Sequence, residues 1–187
     1  MKVALTGPIP VGQPVRILVP FTAAVSSTVA STPAPGTQTF NVAVGQGSLF
    51  PVGCTLLFGA NPMAPDYSGS LEGVTGDSLT LATALAVAPA VGEPVWAFVP
   101  TDPTTVVYTQ DQPAPCSPVV PMSTTTYTLA TSSSSGTPSI VRLEPGWYYV
   151  DAVPTSGGGP LRWRFLGTGA CPAAVQGQFD VDPAVPG

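Results

Sequence analysis

Short alternating runs cut apart by turn residues constrain this chain more than any other feature in it. Val15, Ile17, Val19 and Phe21 share one parity, Phe40, Val42 and Val44 share another, and Leu79 and Leu81 alternate with Ser78 and Thr80. A period of two buries one face of a pleated strand. Thr, Val and Tyr dominate 104–109 and 124–129, the composition of half-buried strand surface. Turn residues fall between the runs, at Gly12, Pro33-Ala34-Pro35-Gly36, Gly45-Gln46-Gly47, Gly76-Asp77, Pro145-Gly146 and Gly157-Gly158-Gly159. Strands recurring every 8–12 residues or so predict an all-β chain, a barrel or sandwich rather than βαβ units. The Ala-rich stretch Leu81 to Val91 is interrupted by Pro89 and is expected to be an irregular connection with at most one helical turn. Gly157-Gly158-Gly159 reads as a hairpin tip, and Ser132 to Gly136 as a loop. Gln112 to Pro121, with prolines at 113, 115, 118 and 121, reads as an extended loop or edge strand.

Two domains follow from the punctuation. The first, 37–100, is predicted to be a small β-barrel, closing with Pro94 to Val99 before the stiff Pro100-Thr101-Asp102-Pro103 linker. The second, 101–187, holds two of the three tryptophans and is predicted to be a β-sandwich. Residues 1–36 contain one good strand and a Ser/Thr/Ala/Pro tail. They are expected to form an extended N-terminal arm that packs on a neighbouring domain or subunit, with a strand donated to the second domain left open.

Composition removes most chemistry. There is no histidine, so Ser/His/Asp triads, Cys/His dyads and His-based metal sites are excluded. The 24 Pro and 20 Gly would suit disorder, but 44% hydrophobic and 8% charged residues reverse the balance that keeps chains unfolded. Lys2, Arg16, Arg142, Arg162 and Arg164 stand against ten acidic residues for a net charge of −5, with no basic run, so nucleic acid is not an expected partner. Charge is so sparse, with none between Arg16 and Asp66, that assembly with partners is expected. Prolines interrupt the apolar residues after Met1-Lys2, so neither a secretory leader nor a membrane helix is expected. Cys54, Cys116 and Cys171 lack CxxC spacing; reduced or buried thiols are expected, with a Cys116–Cys171 bridge left open.

Candidate binding residues cluster late in the chain. Leu161, Trp163 and Phe165 point one way on a strand at 160–166 while Arg162 and Arg164 point the other. Arginine planes clamp carboxylates bidentately, so this face suits an acidic partner or a glycan. The alternative is a solvent face whose arginines pair with Glu144 or Asp151 across the sheet. Trp147, Tyr148 and Tyr149 follow the Pro145-Gly146 turn on alternating faces. A sandwich core accounts for Trp147 and Tyr149, leaving Tyr148 exposed to a partner. Tyr148, Arg162, Arg164 and Arg142 are therefore the candidate partner-binding residues. Asp180 and Asp182 share a face but lack the six to eight oxygens calcium needs, and nothing brings two carboxylates into a glycosidase pair. No catalytic, cofactor-binding or metal-ligating residue is assigned.

Residues 38–98 carry a resemblance. Phe40 to Val44, Leu49-Phe50-Pro51-Val52-Gly53-Cys54-Thr55-Leu56, Glu72-Gly73-Val74-Thr75-Gly76-Asp77-Ser78-Leu79-Thr80-Leu81 and Ala90-Val91-Gly92-Glu93-Pro94-Val95 form a sequence of turn and strand motifs. The sequence resembles a small β-domain met repeatedly in virion proteins of tailed bacteriophages. That pattern often has a histidine before the closing glycine where this chain has Val91, so no function carries over at that position. The resemblance implies a non-enzymatic structural protein of the virion, a multi-copy capsid decoration or a tail, neck or baseplate accessory. Its implied partners are major capsid or tail proteins and further copies of itself, and its implied location is the virion. A carbohydrate-binding or receptor-binding module using Tyr148, Trp163 and the arginine face is the alternative.

Overall fold

The computed structural model describes residues 8–31, 36, 38–112, 120–155, 157–169 and 172–182. Among the described residues the strands pair antiparallel, and one isolated bridge, between Ile9 and Val181, is parallel. No helix among the described residues is long and apolar enough to cross a membrane. The strands are β1 (Val15–Pro20), β2 (Thr22–Ser31), β3 (Thr39–Val42), β4 (Thr55–Phe58), β5 (Tyr67–Thr75), β6 (Ser78–Leu81) and β7 (Pro94–Pro100), followed by β8 (Thr105–Gln112), β9 (Val120–Thr128), β10 (Ser133–Ser135), β11 (Ile140–Glu144), β12 (Trp147–Ala152), β13 (Gly159–Thr168) and β14 (Ala173–Val181).

The chain divides into two units, Ala23–Val99 and Met1–Thr22 with Pro100–Gly187. In the first, the strands close into a barrel in the order β2-β3-β6-β5-β4-β7. Period-two alternation delivers its core: Phe40, Val42, Leu56, Phe58, Leu79 and Leu81 are all buried. Phe58 stacks on Tyr67 with ring centroids 4.8 Å apart and meets Phe40 edge-on at 5.5 Å. Val44 breaks the expected alternation, being 92% exposed, because β3 ends at Val42 and the chain turns away. The turn is held by Asp77, whose carboxylate accepts the backbone N–H of Gly45 at 2.9 Å and of Gly47 at 3.0 Å. Leu81 to Val91 is irregular beyond the last residue of β6, as its composition predicts.

The second unit contains a three-stranded sheet, β1-β12-β11, and a five-stranded sheet, β10-β9-β8-β13-β14. Tyr148 of β12 meets Tyr127 of β9 edge-on at 5.4 Å and Phe21 at 5.6 Å, so rings from both sheets enter one core.

Of the two readings of the first 36 residues, the donated strand is the one found. Val15–Pro20 pairs with Ala152 to Trp147 of β12, and most of β2 belongs to the barrel. Burial accounts for it: Val15, Ile17, Val19 and Phe21 are each at most 7% exposed within their own chain. The barrel unit accordingly begins at Ala23 rather than at 37. Two loop expectations also change. Gly157-Gly158-Gly159 is not a hairpin tip: Gly157 and Gly158 lie on the connection from β12 in one sheet to β13 in the other, Gly159 opens β13, and Ser133–Ser135 forms a short strand on β9. The proline-rich stretch 113–119 lies outside the described residues, as do Cys116 and Cys171; Cys54 is half-buried with a free thiol.

Candidate interaction surface

β13 sits between β8 and β14, and its alternation sets the chemistry of the outer sheet face. Leu161, Trp163 and Phe165 are buried, so Arg162 and Arg164 stand outward, as the sequence predicts. Directly opposite residues share a face. Arg162 therefore has Asp111 on one side and Gln178 on the other, and Arg164 has Thr109 and Gln176. These six side chains border a shallow groove of about 530 Å³, with Trp163 and Gly177 at its floor positions. Each guanidinium offers a planar fork of donors, each glutamine both donors and acceptors, and Asp111 acceptors only. Asp111, Gln176 and Gln178 are legible in the sequence only as polar positions; what joins them to the arginines is register.

The expected pairing of these arginines with Glu144 or Asp151 does not occur. Asp151 is taken by Arg16, its direct neighbour across the β1–β12 pair, with Nε and Nη2 at 2.8 and 2.9 Å from the two carboxylate oxygens. The Arg16 guanidinium also lies 4.1 Å from the centre of the Tyr149 ring, and its hydrogen bonds hold the Asp151 carboxyl below its ordinary value. Among the described residues, Arg162 and Arg164 have no ion pair.

Tyr148 leaves the candidate surface, and Arg142, still part-exposed, is engaged by an acid of its own chain. Tyr148 is fully buried, and Trp147 and Tyr149 are the half-exposed neighbours, the reverse of the expected phase. The cause is register: Tyr148 lies opposite Val19 and Val150 opposite Ile17, so β12 must turn the same parity inward as the apolar row of β1. Tyr148 and Arg142 converge on Asp102. Arg142 donates from Nε at 2.9 Å and from Nη2 at 2.6 Å, the Gly146 N–H donates at 3.0 Å, and the Tyr148 hydroxyl donates at 2.8 Å. The Arg142 hydrogen bonds, with help from the Gly146 N–H and the Tyr148 hydroxyl, pull the Asp102 carboxyl down to about 2. Burial, and then the adjacent carboxylate, push the Tyr148 hydroxyl upward. This cluster braces the unit, and the sequence shows Asp102 only as part of a linker.

Among the described residues, no three His, Cys, Asp or Glu side chains converge as metal ligands. Asp180 is exposed on β14, and Asp182 is half-exposed just beyond it. No family model, curated protein or solved structure matches the chain.

Proposed function

We propose that the chain is a non-enzymatic structural component of a bacteriophage particle, present in many copies and decorating the capsid exterior, with a small barrel and a β-sandwich as its two parts. The virion assignment rests on the resemblance of residues 38–98. One observation supports a contact-making role: the barrel's loops carry large apolar side chains in water. Met63 is 80% exposed on the β4–β5 loop, Val87 and Val91 are 60% and 64% exposed on the β6–β7 loop, and both loops leave the end of the barrel where Tyr67 bonds Glu93. Val44 and Val52, 92% and 62% exposed, lie on the β3–β4 connection. Scattered exposed apolar residues are ordinary. A loop pair bearing three, in a chain whose ionisable residues are this rare, is suited to burial against capsid subunits or other copies.

The test is co-sedimentation with assembled heads, together with light-scattering mass at two concentrations. The unaltered chain is expected to pellet with heads or to exceed its 18.9 kDa monomer mass as concentration rises. Met63→Lys with Val91→Lys is expected to abolish both behaviours while leaving the melting temperature unchanged, since both side chains are exposed. A chain that stays monomeric and does not pellet with heads would refute the proposal.

A further inference from the structure

We infer that the groove bordered by Arg162 and Arg164 is a binding site for an acidic sugar, a glycan whose rings carry carboxylates. The inference is independent of the assembly reading, because it concerns the outer face of the five-stranded sheet and not the barrel loops.

The charge arrangement comes first. Of the four described arginines, Arg16 and Arg142 each grip a carboxylate with two nitrogens. Arg162 and Arg164 do not, although Asp111 is the register partner of Arg162. They project from the same face two positions apart, about 7 Å along the strand. Two arginines against the one carboxylate of Asp111 leave the groove a net positive charge in a chain of net charge −5, which attracts anions locally.

The rest of the lining selects the kind of anion. A groove of about 530 Å³ falls in the size range of small-molecule sites. Its border has no exposed aromatic or aliphatic anchor of the kind that dominates protein–protein contacts. It supplies instead donors from the arginines, acceptors from Asp111, and both from Thr109, Gln176 and Gln178. A ligand matching that set needs a carboxylate for a guanidinium and hydroxyl donors for Asp111 and the amide oxygens. A hexuronic acid has both groups on one ring. A run of acidic side chains has the first without the second, and its carboxylates would face Asp111 unfavourably.

The probe is trigalacturonate, titrated into the full chain by calorimetry and followed by amide chemical shifts. Maltotriose serves as the uncharged comparator and hexaglutamate as the acid without hydroxyls. Trigalacturonate is expected to bind at low salt, to shift the signals of Arg162, Arg164, Gln176 and Gln178, and to bind at least about tenfold more tightly than either comparator. Arg162→Gln and Arg164→Gln are each expected to weaken it by about tenfold, the worth of one charge-assisted hydrogen bond. The shift map uses the unaltered protein, so it stands even where a variant folds poorly. Absence of binding, shifts located elsewhere, or affinity indifferent to both substitutions would overturn the proposal. Equal or tighter binding of hexaglutamate would overturn it too, and would assign the groove to an acidic protein surface.

Discussion

Asp102 accepts four hydrogen bonds from partners 40 to 46 residues away along the chain, and that separation is why it reads as linker until the fold is known. Asp102→Asn preserves shape but loses the negative charge that the Arg142 fork needs. It is expected to cost about 2–3 kcal/mol, read as a lower denaturant midpoint. The same carboxyl has a pH signature. Its folded value, about 2, lies below the ordinary 3.8, so the unfolded chain takes up the proton first on acidification. Its contribution is complete above about pH 4 and is lost as pH falls through about 2. Melting temperatures measured across that window should fall more steeply for the unaltered chain than for Asp102→Asn, and parallel curves would contradict the assignment. At this scale, legibility depends on distance along the chain. The outward direction of Arg162 and Arg164 is set by their own neighbours on β13, whereas the partners of Arg16 and Arg142 come from other strands.

Strands show a second division. The Pro145-Gly146 turn is plain in the sequence, and the structure explains its glycine. Gly146 has φ of +75°, and a Cβ there would lie 2.5 Å from the Phe21 carbonyl oxygen and 2.6 Å from the Thr101 nitrogen. Its own carbonyl accepts the Phe21 N–H at 2.6 Å, fastening the β11–β12 turn to the residue that follows β1. Gly146→Ala therefore combines an unfavourable backbone with a backbone clash and is expected to lose about 1–3 kcal/mol by denaturant titration. A variant as stable as the parent would show that the turn rearranges at no cost. The phase of the strand beyond this turn is not legible from its three aromatics alone. Trp147, Tyr148 and Tyr149 do not set it by themselves, but Val150 and Ala152 on the parity of Tyr148, against Asp151 on the other, mark the inward face. Where a strand is lopsided, as with Leu161, Trp163 and Phe165 against two arginines, the inward face is read correctly from the sequence.

Two cores, one in each unit, lead to a prediction for the molecule as a whole. Phe58 is fully buried in the barrel against Phe40 and Tyr67, and Phe58→Ala is expected to cost about 3–5 kcal/mol there. Trp96 belongs to the barrel unit, and Trp147 and Trp163 to the other. With fluorotryptophan incorporated, the Trp96 resonance of Phe58→Ala should lose its native position at lower denaturant while those of Trp147 and Trp163 keep their midpoints. Coincident shifts would mean that the two units unfold as one. The all-β class, the barrel, most turns between strands and the absence of imidazole chemistry were legible in the chain alone, because each follows from local periodicity or from a residue type that is missing. The division of the first 36 residues between two units and the choice of arginines left without an acid came from the fold. Those outcomes depend on which strand lies alongside, and a neighbour from a distant part of the chain leaves no mark in the local pattern.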